Sequence, residues 1–416
     1  MNRTSRVLVG AVALALVLAG CGRTEDDGGR ASGEPEGPVE GTLQVWAMGT
    51  EGENLGVLAE DFMKENPDVT VKVTAVPWEA AHDRIVNAIA GGQVPDVSLI
   101  GTTWMGEFAG LGGLDPTPSS IDPGAFFEGA WDTTVVDGTS YGVPWYVETR
   151  LLYYRTDVAE KAGFTEPPGS WDELKQMVGG IVDAGTEYGI SLQPGGTGSW
   201  QTFMPFFWQQ GGEIVDDGDE FTLDSPACVE ALAYYDSFFE ENLTSVEAFE
   251  LTLESAFAEG QIGSFISGPW MIGLVNDAGA GPNSWTVAHQ PTEEAGTSFV
   301  GGGNLAVFEQ SDNKAAGWAF VEYLSQPEVQ VKWYETVSGL PAATAAWDDE
   351  TLAGDELLSA FGEQLEDAKS PPAIATWEQV AAAIDSQIEQ VTVGDATPED
   401  ACQAMQEEAS SIGTGL

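Results

Sequence analysis

The side chains that most often carry catalysis are scarce in this chain. Only two histidines, His82 and His289, occur among 416 residues, so the usual acid–base and triad chemistries lack their central group. The sequence has no GxxxxGK(S/T) or HExxH motif, the signatures of phosphate-binding loops and zinc proteases. Carboxylate pairs suited to glycoside hydrolysis can always be found among 67 acidic residues, so their presence indicates little. The residues favour binding over catalysis.

Two short segments could hold a cofactor or a metal ion. GGGNLA at 301–306 fits the loose dinucleotide fingerprint, but the residues after it are typical of a strand, so a pyrophosphate would meet no helix N-terminus. The acidic run 216–220 lacks the twelve-residue spacing of a calcium loop and is better read as an acidic turn. We therefore predict no cofactor and no metal.

The charge balance restricts the possible partners. There are 67 Asp and Glu against 14 Lys and Arg, a formal net charge of −53, which repels phosphate backbones and anionic headgroups. Nucleic acid is therefore excluded as a partner. Attachment to a membrane would need something other than attraction between surface charges and lipid headgroups. Hydrophobic residues make up 43% of the chain and aromatics 10%, which is enough to bury a large core.

The N-terminus predicts export and lipid attachment. Arg3 and Arg6 precede an unbroken run of Val, Leu, Ala and Gly that is too short to span a bilayer comfortably. The run ends in Leu-Ala-Gly-Cys at 18–21, which resembles the bacterial lipobox. We predict a lipoprotein signal peptide at 1–20, lipidation of Cys21 and a flexible tether at 21–40; an ordinary secretory peptide is the alternative.

Two cysteines remain once Cys21 is assigned to lipid. In an oxidising exterior, an even remainder favours a disulfide between Cys228 and Cys402 over free thiols or a metal pair. Zinc is disfavoured because no two Cys or His lie at ligand spacing.

The hydrophobic patterns along the chain alternate between strand and helix. Strands at 43–46, 69–76 and 96–100 enclose helices at 55–66 and 80–90, which implies a parallel sheet with right-handed crossovers. Later segments continue the alternation, with strands at 151–154, 263–267 and 304–308 and helices at 171–183, 226–240, 251–260, 313–324, 327–337 and 377–388. The class is therefore α/β.

Four segments resemble the extracellular solute-binding proteins of ABC sugar importers, the group that includes the maltose- and trehalose-binding proteins. They are residues 62–97, 141–174 with VPWYVETR, 265–273 with GPWMIG, and 301–342. They follow the family's order over nearly all of the mature chain. The resemblance implies a two-lobed periplasmic-binding-protein-like fold, each lobe a mainly parallel sheet flanked by helices, with a ligand cleft between the lobes.

The same resemblance implies how the chain is divided. Residues 41–147 with 301–341 are expected to form lobe 1, and 148–300 with 342–416 lobe 2, so Cys228 and Cys402 fall in one lobe. The chain is expected to cross between lobes near 147–150, near 297–302 and after 340–341. Closure would be a hinge motion.

A sugar presents an apolar C–H face and a ring of hydroxyls, so its site needs flat aromatics beside carboxylates and amides. The resemblance assigns Glu148 to sugar hydroxyls, Tyr146, Trp270 and Trp377 to aromatic contacts, and Glu51 to a charged contact. The alternatives are a salt bridge for Glu148 and core burial for Trp270.

Other candidates follow from where strands and loops end. Trp104 follows the strand 96–100 at its carboxyl end, where open α/β sheets bind ligands; Thr103 beside it stands where several relatives carry Asp, so the specificity is expected to differ. Trp78, in a loop before a helix, and Trp200, in a Gly-rich loop, are predicted cleft walls.

The remaining candidates surround the expected crossings. Arg150 lies on the same side of a strand as Glu148 and is expected either to reach the ligand or to hold Glu148. Gly302, Gly303 and Asn304 would bring backbone amides and a carboxamide near the ligand; a hinge run of glycines is the alternative.

The sequence as a whole predicts a monomeric, lipid-anchored, non-enzymatic binding protein on the outer face of the cell membrane. It would capture a di- or oligosaccharide and deliver it to ABC permease subunits. A binder of a non-sugar solute such as glycerol phosphate, a cell-surface glycoside hydrolase and a structural lipoprotein remain alternatives. The sugar, its linkage and the permease are not determined.

Overall fold

The computed structural model describes residues 37–415 except 217, 248–250 and 282. The predicted signal peptide, the lipidation site Cys21 and most of the predicted tether lie outside these residues. Among the described residues, no helix is both long and apolar enough to span a membrane.

Strands and helices alternate along the described residues. The strands are β1 Gly41–Met48, β2 Val69–Val76, β3 Val97–Gly101, β4 Val135–Val136, β5 Thr139–Ser140, β6 Val143–Thr149, β7 Leu151–Tyr154, β8 Ser264–Ser267, β9 Thr286–Ala288, β10 Ser298–Val307, β11 Leu340–Pro341 and β12 Ala368–Lys369. The helices are α1 Gly49–Asn54, α2 Gly56–Glu65, α3 Trp78–Gly91, α4 Met105–Gly110, α5 Glu128–Asp132, α6 Thr156–Ala159, α7 Trp171–Asp183, α8 Trp200–Gln209, α9 Pro226–Glu240, α10 Leu253–Glu259, α11 Trp270–Asp277, α12 Lys314–Leu324, α13 Pro327–Val337, α14 Glu350–Ala353, α15 Glu356–Leu365, α16 Trp377–Thr392 and α17 Pro398–Ile412. Short 3₁₀ turns occupy Thr102–Trp104, Pro123–Ala125 and Thr344–Asp348.

Two sheets organise most of these elements, and β4 and β5 pair separately as a two-stranded sheet. In the described residues, sheet A has the order β11-β6-β10-β3-β1-β2, with β12 beside β10, and sheet B has the order β8-β7-β9. The β2-β1-β3 part of sheet A is parallel, as predicted, whereas β10, β6 and β11 join it antiparallel. The chain passes from sheet A to sheet B at Arg150, between β6 and β7.

The expectation of a mainly parallel sheet in each lobe is wrong for sheet B. Both of its pairings, β7 with β8 and β7 with β9, are antiparallel. Isolated parallel bridges, such as Ser191 with Phe265, extend its edge. The error arises because short apolar strands read alike in either direction and only their pairing decides the orientation.

The described core has three buried clusters: a small one around Ile100 and Phe108 beside sheet A, and two larger ones that meet at sheet B. One buried cluster runs from sheet A to Tyr153 and Phe265, and another packs α7, α8, α9, α16 and α17 against Leu152. A disulfide joins Cys228 of α9 to Cys402 of α17, with the Cα atoms 6.1 Å apart. It fastens the C-terminal helix pair to the body of this cluster.

Candidate functional site

The floor of the candidate site is the antiparallel pair β6–β10. Gly301 lies opposite Glu148 and Gly303 opposite Tyr146, so these two side chains share one face of sheet A. A Cβ at Gly303 would lie 2.8 Å from Cε1 of Tyr146. The glycine therefore makes room for the tyrosine ring, and a register shift after Gly303 marks a local irregularity in the pairing.

Arg150 connects the walls of the site. Its Nη2 donates to Oε1 of Glu148 at 3.3 Å and to Oε1 of Gln201 at 2.9 Å. Its Cζ lies 4.7 Å from the ring centroid of Trp270 and 5.2 Å from that of Phe299, distances typical of cation–π contacts. Arg150 therefore makes the contact with Glu148 that was one of its two expected roles, and Glu148 forms the salt bridge that was its alternative; contact of Arg150 with a ligand stays a prediction.

Trp270 begins α11 and keeps 44% of its surface exposed. Its ring passes so close to Gly268 that no Cβ would fit there, and Arg150 stacks on it. Core burial, the alternative for this residue, is therefore wrong, and an exposed aromatic surface remains free for a ligand.

Two carboxylates and a phenol meet between the walls. Burial raises the pKa of Glu51, with a backbone hydrogen bond opposing the shift. Burial also raises the pKa of Tyr146 well above its usual value, and the charges of Glu51 and Glu148 add to the increase. Tyr146 is therefore a neutral donor and acceptor between two acids, a combination suited to hydroxyl groups.

The ends of β1, β2 and β3 supply the opposite wall. Trp78 packs edge-on against Trp104, with the ring centroids 5.6 Å apart, and a Cβ on Gly49 would touch both Trp78 and Glu51. Trp78 is the first residue of α3, so the prediction that it lies in a loop before the helix is wrong, because the helix begins two residues earlier than expected. Trp104 and Thr103 lie in the 3₁₀ turn that follows β3.

Two predicted aromatic contacts are core residues. Trp200 opens the helix α8, not a Gly-rich loop, and is 6% exposed, while Trp377 is 1% exposed. Their rings pack edge-on at 5.0 Å, and Trp200 also packs against Phe299 at 5.5 Å. Trp377 is buried beneath the site, whereas the small exposed part of Trp200 lines the cavity described below.

The glycine run and Asn304 lie inside β10, because this strand begins six residues before the predicted start. Asn304 is 1% exposed and its Nδ2 donates to Oγ1 of Thr133 at 2.9 Å, so its carboxamide is used internally. Gly302, with a φ of +130° and no space for a Cβ against the Tyr146 carbonyl, meets a backbone requirement of the strand.

A cavity of about 470 Å³ lies beside the arrangement around Arg150; its lining includes Thr103, Trp104 and Trp200 but not Glu148, Arg150 or Trp270. Thr103 and Trp104 lie on one side, and the start of α8 with the α16 residues Glu378 and Ser386 on the other. Another cavity, of about 530 Å³, borders Gly129 and Ala368 and contains none of the predicted ligand residues. We assign the site to the first, because Gln201 in its lining bonds directly to Arg150.

The sequence reasoning missed Gln201, Phe299 and Asp385. Gln201 follows Trp200 at the start of an apolar helix, and Asp385 lies on the buried side of α16 four residues after Ala381. An acid on a buried helix face is a signal that could have been noticed, because buried charges require partners. No pattern in the sequence indicated a role for Phe299, because the strand that contains it was predicted to start after this residue.

Comparison with known proteins identifies the family. Residues 48–331 match the bacterial extracellular solute-binding proteins. The sugar-binding protein MalE from Xanthomonas citri has a TM-score of 0.84 at 33% identity, covering 89% of this chain and 97% of that one. The maltotriose-binding protein of Pyrococcus abyssi is 30% identical over 351 residues, 79% of this chain and 73% of that protein. The diacetylchitobiose binding protein DasA of Streptomyces coelicolor is 28% identical over 327 residues, 74% of each.

The chain therefore belongs to the bacterial extracellular solute-binding protein family. Its fold is the two-lobed α/β fold of these binding proteins, which confirms the predicted class. The family and these relatives are binding proteins and not enzymes.

Proposed function

We propose that the protein captures a di- or oligosaccharide outside the cell and delivers it to the permease subunits of an ABC importer. The observation that carries the proposal is the arrangement around Arg150, which holds a carboxylate, Glu148, beside a half-exposed indole, Trp270. The carboxylate suits sugar hydroxyls and the indole suits the C–H face of a ring. The names of the relatives, one for maltotriose and one for diacetylchitobiose, support a ligand of more than one ring.

The mechanism is capture between two lobes and closure over the ligand. Lobe 1 comprises residues 41–147 with 301–341, and lobe 2 comprises 148–300 with 342–416. The permease reads the closed form, and no bond is broken. The protein acts as a monomer and is held at the outer face of the membrane by a lipid on Cys21.

Glycerol phosphate is the less favoured ligand. A phosphate needs cations or free helix N-termini, whereas the carboxylates Glu51 and Glu148 oppose the single guanidinium of Arg150. A glycoside hydrolase would use similar residues, but it would release new reducing ends from an oligosaccharide.

A thermal-shift screen of residues 41–416 tests the proposal. Trehalose, maltose, maltotriose, cellobiose, xylo- and chito-oligosaccharides and glycerol phosphate are compared, with reducing ends measured in parallel. A ligand at a hundredfold over its Kd adds about 2.7 kcal/mol of stability. We expect a rise in melting temperature with one saccharide, lost in Glu148→Gln, and no new reducing ends. No shift with any saccharide, or a shift with glycerol phosphate alone, would contradict the assignment.

The proposed anchor needs a separate test. In cells, Cys21→Ala is expected to move the protein from the membrane fraction to the medium. Retention of this variant at the membrane would refute lipid attachment through Cys21.

A further inference from the structure

A buried carboxylate from the C-terminal segment holds the start of α8. Asp385 of α16 is 7% exposed. Its Oδ1 accepts from the backbone N of Trp200 and from Oγ of Ser199, both at 2.8 Å, and its Oδ2 accepts from the backbone N of Gly198 at 2.7 Å. None of these partners carries a formal positive charge. The carboxylate is therefore stabilised by hydrogen-bond donors at a helix N-terminus.

This arrangement supplies a cap that α8 does not make itself. The N-cap residue Ser199 forms no side-chain hydrogen bond to the first turn of its own helix. Amides at a helix N-terminus lack intrahelical partners and carry a partial positive charge, which favours an anion there. Asp385 fills this role from a different helix, 185 residues further along the chain.

The base of this cap is itself well fixed. Helix α16 packs against α17, and α17 is tied to α9 by the disulfide between Cys228 and Cys402. Asp385 therefore belongs to a helix pair that the disulfide holds in place, and its hydrogen bonds fix the position of residues 198–200.

The capped turn leads directly to the proposed ligand site. Gln201 is the next residue, and its Oε1 accepts from Nη2 of Arg150 at 2.9 Å. The same Nη2 donates to Glu148 at 3.3 Å, while Nη1 of Arg150 is buried without a hydrogen-bond partner among the described residues. Few contacts therefore fix the guanidinium, and Gln201 makes the shorter of its two hydrogen bonds.

We propose that Asp385 is a positioning residue of the ligand site, which acts through the first turn of α8 on Gln201 and thereby on Arg150 and Glu148. The proposal rests on the proposed saccharide function of this site. Asp385 borders the assigned cavity, but both of its carboxylate oxygens accept hydrogen bonds from residues 198–200, so in this scheme it acts on the ligand through these residues.

The test is an isosteric substitution combined with a double-mutant cycle. Asp385→Asn keeps the shape but replaces an acceptor by a donor facing the Gly198 amide. We expect its Kd, measured by calorimetry for the saccharide found in the screen, to rise about tenfold, which corresponds to about 1.4 kcal/mol. Gln201→Ala should weaken binding too, and the two effects should be less than additive because they break the same connection. Hydrogen exchange at the amides of 198 and 200 should become faster in Asp385→Asn.

Ser170→Ala is the matched control, since Ser170 caps α7 by accepting from the amide of Glu173 at 3.2 Å. It should lower the melting temperature and leave the Kd unchanged. If Asp385→Asn does not fold, Ser199→Ala replaces it in the cycle with Gln201→Ala, because it removes one of the three donors to Asp385. A few-fold, non-additive loss would then support the proposal.

The outcomes separate the two hypotheses. Wild-type affinity in Asp385→Asn, or fully additive effects with Gln201→Ala, would overturn the positioning role while the saccharide function stands. A wild-type protein that binds no saccharide would overturn the proposed function and, with it, this role.

Discussion

Replacing Trp270 by alanine should remove most of the affinity and little of the stability. A tryptophan side chain offers at most about 250 Å² of surface. With 44% of it exposed, about 110 Å² is left for a ligand to cover, which at about 25 cal/mol per Å² is worth about 2.5 to 3 kcal/mol. The Kd should therefore rise about a hundredfold, as measured by calorimetry on the saccharide identified by the thermal-shift screen.

The matched control is a buried tryptophan outside the site. Trp318 is 1% exposed and its Nε1 donates to Asp115 at 2.8 Å, so Trp318→Phe should lower stability and leave the Kd unchanged. Trp270→Phe should keep part of the stacking, so its Kd should lie between those of wild type and Trp270→Ala. If Trp270→Ala binds as tightly as wild type, the indole is not a ligand surface and the reasoning fails.

Three further predictions concern stability and the floor of the site. The double substitution of Cys228 and Cys402 by serine opens a loop of 174 residues and should cost about 5 kcal/mol in the chain-entropy account, measured by urea unfolding; an unchanged midpoint would contradict it. Burial, reinforced by Glu240, raises the pKa of Asp236 from 3.8 to about 6, so the charged form destabilises the fold and wild type loses stability as the pH rises through this window. The stability of Asp236→Asn relative to wild type should therefore increase from pH 4 to pH 7, and a constant difference would refute the shift. Gly303→Ala should displace the Tyr146 ring and weaken ligand binding; unchanged affinity would show that the ring position is unimportant.

Local patterns were sufficient for amphipathic helices with clear ends. The predicted bounds of α7 and α9 match the structure, because Ser170 accepts from Glu173 at the start of α7 and a proline opens α9. Helix α8 was not predicted, because its sequence lacks the amphipathic pattern that α7 and α9 show. It contains Pro205 and is buried on nearly all sides, so it shows neither an uninterrupted pattern nor a polar face.

The candidate site was predictable where exposure and strand position decide the role. Glu148 and Tyr146 share a face because they alternate along β6, which the sequence spacing indicates. Trp200 and Trp377 could not be distinguished from Trp270 by type, since an exposed indole and a buried one look the same in a sequence. The contact between Trp200 and Trp377 joins residues 177 positions apart in the chain, and only the tertiary packing of α8 on α16 brings them together.

Arg150 joins the candidate ligand site to the passage between the two sheets. Its carbonyl oxygen accepts from Oγ of Ser298 at 2.8 Å and from Nε2 of Gln290 at 3.2 Å, while its side chain holds Glu148 and stacks on Trp270. A rotation of sheet B relative to sheet A would have to change the backbone angles at this junction and would carry the guanidinium with it. A ligand that binds Glu148 or Trp270 in only one orientation of the two sheets stabilises that orientation. The coupling is reciprocal, so that orientation increases the affinity for the ligand by the same free energy. Substitutions of Gln290 that loosen the junction should therefore alter ligand affinity without touching the ligand.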